Sequence, residues 1–185
     1  KFWQDRKKTA AISRHTNAFK VNEDVVIPLP RMAEYTDGIE RINIELSLRN
    51  KIALCHALDA FLTEGPLPLA KTDDAGDIPA AELLEDRVAQ ARALIAQVRD
   101  QWQGWLTDVD TLFPQLQDHS LRASWKQQIR PGLENIFSGA AFQPLLKACL
   151  DIHQKVLKGR VWAALHMHAG DGNVHTNLPV NSDDY

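Results

Sequence analysis

The chain has 185 residues, of which 44% are hydrophobic, and its 21 Lys and Arg against 24 Asp and Glu give a formal net charge of −3. This composition is typical of one globular domain, and the near-neutral balance argues against a nucleic-acid-binding surface. No run reaches the ~18 apolar residues of a membrane-spanning helix, and the N-terminal residues lack the pattern of a secretory signal. We therefore expect a cytoplasmic protein without a membrane span. Cys55 and Cys149 lie in apolar helical patterns, which favours buried free thiols over a disulfide.

The first predicted elements are helices and one short strand. Residues 2–12 have helical character, and DVVIP at 24–28 is typical of a strand that ends at proline. The stretch 31–63 contains no proline and predicts one long helix. A second helix opens at Pro79 and carries apolar residues at steps of four and three as far as Trp105. Such heptads predict that the two helices pack lengthwise as an antiparallel helical hairpin.

The second half of the chain adds helices and further strands. A short helix is predicted near 118–129, another at 143–158, and a strand within 160–168, where polar and apolar residues alternate. Together these elements predict an α+β fold, with a small antiparallel sheet packed against helices. Because the chain starts at Lys1 and stops just after its most motif-rich stretch, we expect 1–185 to be a single domain from a longer protein.

The strongest chemical signal is the segment HMHAGDGNVHTN at 166–177. An Asp-Gly pair between alternating segments predicts a hairpin, and with Asp171 and Gly172 as its two turn residues His168 lies opposite His175. In the same register, His166 and Asn177 at the two ends of the segment also lie opposite each other. Opposed histidines can bind one divalent ion, such as zinc, manganese or iron, through their ring nitrogens. Two ligands do not make a tight site, and no Cys, Asp or Glu stands out as a third.

The same segment resembles the signature of the C-terminal, substrate-binding half of FAD-linked oxidoreductases of the vanillyl-alcohol oxidase type. Within them it is most similar to the D-2-hydroxyglutarate and D-lactate dehydrogenase branch. The run FWQDRKKTAAISRHTNAFKVNEDVVIPLPRM near the N-terminus resembles that branch as well, and the two stretches cover about 45 of the 185 residues. Residues 65–140, which the resemblance does not cover, look like a helical insertion. The resemblance implies an FAD-binding domain outside this chain.

The resemblance also implies roles for single residues. Metal ligands fall on His168 and His175, and His166 is expected to support them without binding the ion. Four positions match residues that contact the substrate in that branch: Arg6, Thr9, Lys20 and Asn177. The third metal ligand and the catalytic base belong to a Gly-Glu-His-Gly stretch that would lie beyond Tyr185. No catalytic residue is therefore expected in this chain, and the isolated chain is expected to be inactive.

These roles fit the oxidation of a D-2-hydroxy acid to a 2-oxo acid. A divalent ion, zinc or manganese, would polarise the substrate hydroxyl, while Arg6 would bind the carboxylate through two parallel hydrogen bonds. FAD, bound by another domain of the same polypeptide, would accept the hydride, and an iron–sulfur domain or another acceptor would take the electrons. Two alternatives remain open: a metal-dependent hydrolase, since His-x-His also occurs as a hydrolase ligand pair, and a non-catalytic helical interaction module.

Overall fold

The computed structural model of the chain describes residues 18–70, 81–168 and 170–181. These ranges contain five α-helices: α1 (Met32–Thr63), α2 (Ala81–Thr107), α3 (Val109–Gln117), α4 (Arg130–Ile136) and α5 (Gln143–Lys158). They also contain three strands: β1 (Ala18–Val26), β2 (Ala164–His168) and β3 (Asn173–Asn181). Shorter helical turns lie at Leu29–Arg31, Trp125–Ile129 and Ala140–Phe142. The predicted α+β fold is confirmed. Among the described helices, none combines the length and the apolar character needed to cross a membrane.

The described residues form two compact units. The first comprises the described residues between Lys1 and Ser47 together with those between Leu157 and Tyr185, and the second comprises those between Leu48 and Val156. The first unit therefore holds the three strands and the N-terminal half of α1. The second unit is helical and contains the described part of the predicted insertion at 65–140.

In the first unit, β3 is the central strand of an antiparallel sheet with the order β1-β3-β2. Val174 and Thr176 are buried on one face of this sheet, and the hydroxyls of Tyr35 and Thr176 are 2.8 Å apart. Asn43 of α1 hydrogen-bonds both the carbonyl and the amide of Ala163, at 2.9 and 2.7 Å, just before β2 begins. The start of α1 thus covers the face that carries Val174 and Thr176. Residues of odd number in β3, His175 among them, lie on the opposite face because side chains alternate along a strand.

The hairpin of β2 and β3 forms as predicted, but the predicted register is wrong by two residues. His175 lies opposite His166, not His168, and His168 lies opposite Asn173. A two-residue turn of the predicted kind requires positive φ at both turn residues. Of the two, only Gly172 has it, at +77°, and the connection between the paired residues is longer than two residues. Within this connection, Oδ1 of Asp171 accepts a hydrogen bond from the backbone N–H of Asn173 at 3.1 Å, which is typical of an Asx turn.

In the helical unit, α2 lies against the second half of α1. Arg92 of α2 binds Asp59 of α1 at 2.7 Å, and Arg99, two turns later in α2, lies near Cys55, one turn earlier in α1. Since positions advance along α2 as they recede along α1, the two helices are antiparallel. Trp102 is fully buried and donates its indole N–H to the Gln128 side chain at 3.1 Å, so it is a core residue.

The most deeply buried side chains of this unit come from α1, α2, α4 and α5 and from the turns that adjoin α4, while α3 adds the buried Val109 and Leu116. The large side chains with almost no solvent exposure are Cys55, Leu58, Ile95, Trp102, Ile129, Leu133, Phe137, Leu145 and Cys149. Burial raises the pKa of both cysteine thiols to about 12, which agrees with the expectation of buried free thiols.

Two local predictions differ from the structure. The strand expected at 24–28 extends from Ala18 to Val26. The helix expected near 118–129 is replaced by α3 at Val109–Gln117 and a π-helical turn at Trp125–Ile129. Pro131 lies in the first turn of α4, a position that is compatible with proline.

Candidate functional site

Three histidines meet on the sheet face opposite α1, and we call His166, His168 and His175 the histidine face. The ring centroids of His166 and His168 are 5.7 Å apart, those of His168 and His175 5.9 Å, and those of His166 and His175 6.0 Å. The first two pairs are nearly perpendicular and the third is roughly stacked, with an interplanar angle of 28°. The three imidazoles therefore form a nearly equilateral group. His166 and His168 are exposed and His175 is partly buried.

The neighbouring strand β1 adds a carboxylate to this face. Asp24 lies directly opposite His175 in the antiparallel register, and its Oδ1 is in hydrogen-bond contact with Nδ1 of His175. A carboxylate accepts hydrogen bonds, so the imidazole N–H is the donor. The contact joins residues that are 151 positions apart in the chain.

The turn that supports the histidine face depends on one glycine. The backbone N–H of Ile27 donates to the carbonyl of Gly172 at 2.8 Å, which ties the end of β1 to the hairpin turn. A Cβ at position 172 would collide with the Ile27 carbonyl oxygen, and the positive φ also disfavours a side chain there. Gly170, in the same turn, has open space around it. The close approach of β1 therefore requires glycine at 172 alone.

The residue types on the histidine face fit a divalent ion, with the rings placed slightly wide for direct coordination. Two imidazoles on one zinc ion at the tetrahedral angle have centroids about 5.3 Å apart, because the Zn–N bond is about 2.1 Å long. The observed separations of 5.7–6.0 Å are a few tenths of an ångström longer. Accordingly, in residues 18–70, 81–168 and 170–181 no group of three or more His, Cys, Asp and Glu side chains has the spacing of a metal site.

The structure places three of the seven predicted site residues together and locates two more on the same sheet. His166, His168 and His175 form the histidine face. Asn177 lies one pleat beyond His175 on β3, opposite Ala164 of β2, and Lys20 lies opposite Pro179 at the other end of β1. The two remaining residues, Arg6 and Thr9, lie outside the described residues.

Asp24 is a charged group on this face that the sequence analysis missed. It belongs to the run DVVIP, which served only as evidence for a strand. Only the sheet register reveals its role, because an acidic residue on β1 contacts the site only when β1 pairs with β3 at that position. That pairing is long-range and has no local signature in the sequence.

No protein-family model matches the chain, and neither the curated proteins nor the solved structures include a significant match to it.

Proposed function

We propose that this chain is the substrate- and metal-binding portion of an FAD-dependent dehydrogenase that oxidises a D-2-hydroxy acid to the 2-oxo acid. The observation that supports the proposal is the histidine face, in which the centroids of three imidazole rings lie within 6.0 Å of one another and Asp24 contacts His175. Exposed histidines scattered over a surface would not converge in this way. The resemblance of segment 166–177 to the dehydrogenase signature supplies the reaction.

In this proposal, His168 and His175 hold the divalent ion through ring nitrogens, and His166 lies next to both. When bound, the ion supplies Lewis acidity that lowers the pKa of a substrate hydroxyl, and the flavin supplies a hydride acceptor. Asn177, on the same face of β3, offers an amide that can donate to or accept from a substrate oxygen. The buried packing of Val174 and Thr176 against the start of α1 keeps β3 in place beneath these groups.

The test is made on the natural polypeptide that contains this chain, whose visible spectrum is recorded anaerobically before and after D-lactate or D-2-hydroxyglutarate is added. A flavin band that one of these acids bleaches supports the dehydrogenase and identifies the substrate. Absence of a flavin, together with metal-dependent ester hydrolysis, would support the hydrolase instead.

The site assignment is tested by His168→Ala and His175→Ala in the same polypeptide. Loss of a metal ligand should lower turnover at least about 100-fold, because metal catalysis contributes several kcal/mol to the stabilisation of the transition state. His56→Ala is the matched control, since His56 is an exposed histidine of the helical unit. Normal turnover and unchanged metal content in both site variants would contradict the assignment.

A further inference from the structure

We propose that Asp24 is a positioning residue for His175 and determines which imidazole nitrogen is available to a divalent ion on the histidine face. The inference rests on the proposed function, because it concerns the same metal site. It adds a residue that the resemblance does not include. It also assigns to β1 a role in the site besides that of an outer strand.

Oδ1 of Asp24 faces Nδ1 of His175, and a carboxylate accepts a hydrogen bond from an imidazole N–H. In the neutral imidazole one nitrogen carries the hydrogen and the other carries the lone pair. The Asp24 contact thus places the hydrogen on Nδ1 and leaves the lone pair on Nε2, and a lone pair is what a metal ion binds.

The backbone register maintains this contact. Asp24 and His175 are direct partners in the β1–β3 pairing, so both side chains project from the same face of the sheet. Ile27, three residues later, is tied to the hairpin turn by the hydrogen bond to Gly172. β1 is therefore fixed to the hairpin on both sides of the histidine, and the carboxylate cannot slide along β3 without breaking these backbone contacts.

Metal-bound histidines generally donate their second ring N–H to a carboxylate, carbonyl or water, which fixes the tautomer and the orientation of the ring. Removing such a partner lowers metal affinity 10–100-fold. Asp24 provides this partner to His175 from within the chain. The structure thus contains one histidine whose Nδ1 has a carboxylate partner before an ion binds.

The experiment compares Zn²⁺ affinity, measured by competition with a chelating dye, in the natural polypeptide and its variants. We expect Asp24→Asn to weaken Zn²⁺ binding 10–100-fold, and Asp24→Ala, which cannot accept the hydrogen bond, to weaken it at least as much. Glu23→Gln is the matched control, because it removes the same charge one residue earlier on β1 from the opposite face of the sheet. It should change the affinity less than about twofold.

A second measurement is independent of the metal. In metal-free protein labelled with ¹⁵N-histidine, His175 should have its hydrogen on Nδ1, and Asp24→Ala should shift the population towards the Nε2–H form. Wild-type zinc affinity in both Asp24 variants, or an Nε2–H tautomer in the unmodified protein, would overturn the inference, as would a wild-type protein that binds no zinc. Failure of the dehydrogenase proposal has a different outcome: zinc binding depends on Asp24, but no flavin is present or no 2-hydroxy acid bleaches it.

Discussion

Replacement of Gly172 by alanine should loosen the sheet that carries the histidine face. The residue has φ +77°, which costs an L-amino acid with a side chain about 1–2 kcal/mol. The added Cβ also displaces the Ile27 carbonyl, and the 2.8 Å hydrogen bond from the Ile27 amide contributes about 0.5–1.5 kcal/mol. We therefore expect Gly172→Ala to destabilise the sheet by about 2–3 kcal/mol.

Amide hydrogen exchange along β3 measures this effect in the unit concerned. A loss of about 2–3 kcal/mol corresponds to exchange that is about 30- to 150-fold faster, since each 1.4 kcal/mol is a factor of ten. Gly170→Ala is the control in the same turn, because a Cβ at that position would have no heavy atom within 4 Å and the φ of Gly170 is not in the left-handed region. That variant should change the exchange rates by less than threefold. Equal exchange rates in the two variants would refute the argument from backbone geometry.

Two further predictions concern a hydrogen bond in the first unit and a histidine in the helical unit. Tyr35→Phe removes the hydroxyl that forms a hydrogen bond with the buried Thr176. In the same exchange experiment, the free energy of opening at the β3 amides should fall by about 1–2 kcal/mol. Unchanged protection of these amides would mean that the hydrogen bond contributes nothing. In the helical unit, burial and then two neighbouring cations lower the pKa of His153 from 6.5. Below about pH 6.5 the unfolded state therefore binds more protons at His153 than the folded state does. The free energy of unfolding, measured with urea, should rise with pH up to about 6.5 and level off above it. His153→Phe should reduce this pH dependence of the free energy of unfolding, while His56→Gln, at an exposed position, serves as the control and should leave it unchanged. An unaltered pH dependence in His153→Phe would mean that other groups cause it.

The long helices could be predicted from the sequence because their burial pattern is local. Leu48, Cys55, Leu58 and Leu62 recur at steps of three, four and seven, and all four are buried in α1. A helix repeats every 3.6 residues whatever it packs against, so its buried stripe is visible in its own sequence.

The contacts of the site could not be predicted in the same way, because they depend on which strands pair and in what register. The Asp-Gly pair is compatible with a two-residue turn and with the longer connection that the structure shows. The choice between them depends on the approach of Ile27 to Gly172, which joins segments about 145 positions apart. Asp24 was missed for the same reason.

The membership of the histidine face was nevertheless predictable, although the cross-strand partners were not. Side chains alternate along a strand with a period of two, so a register error of one residue moves every side chain to the opposite face, while an error of two residues moves none. The predicted pair His168–His175 and the observed pair His166–His175 differ by two residues. All three imidazoles consequently lie on one face in either register, and only their cross-strand partners change. The residues that share the face are therefore the same in both registers, whereas the opposed pair His166–His175 follows only from the long-range pairing that the structure shows.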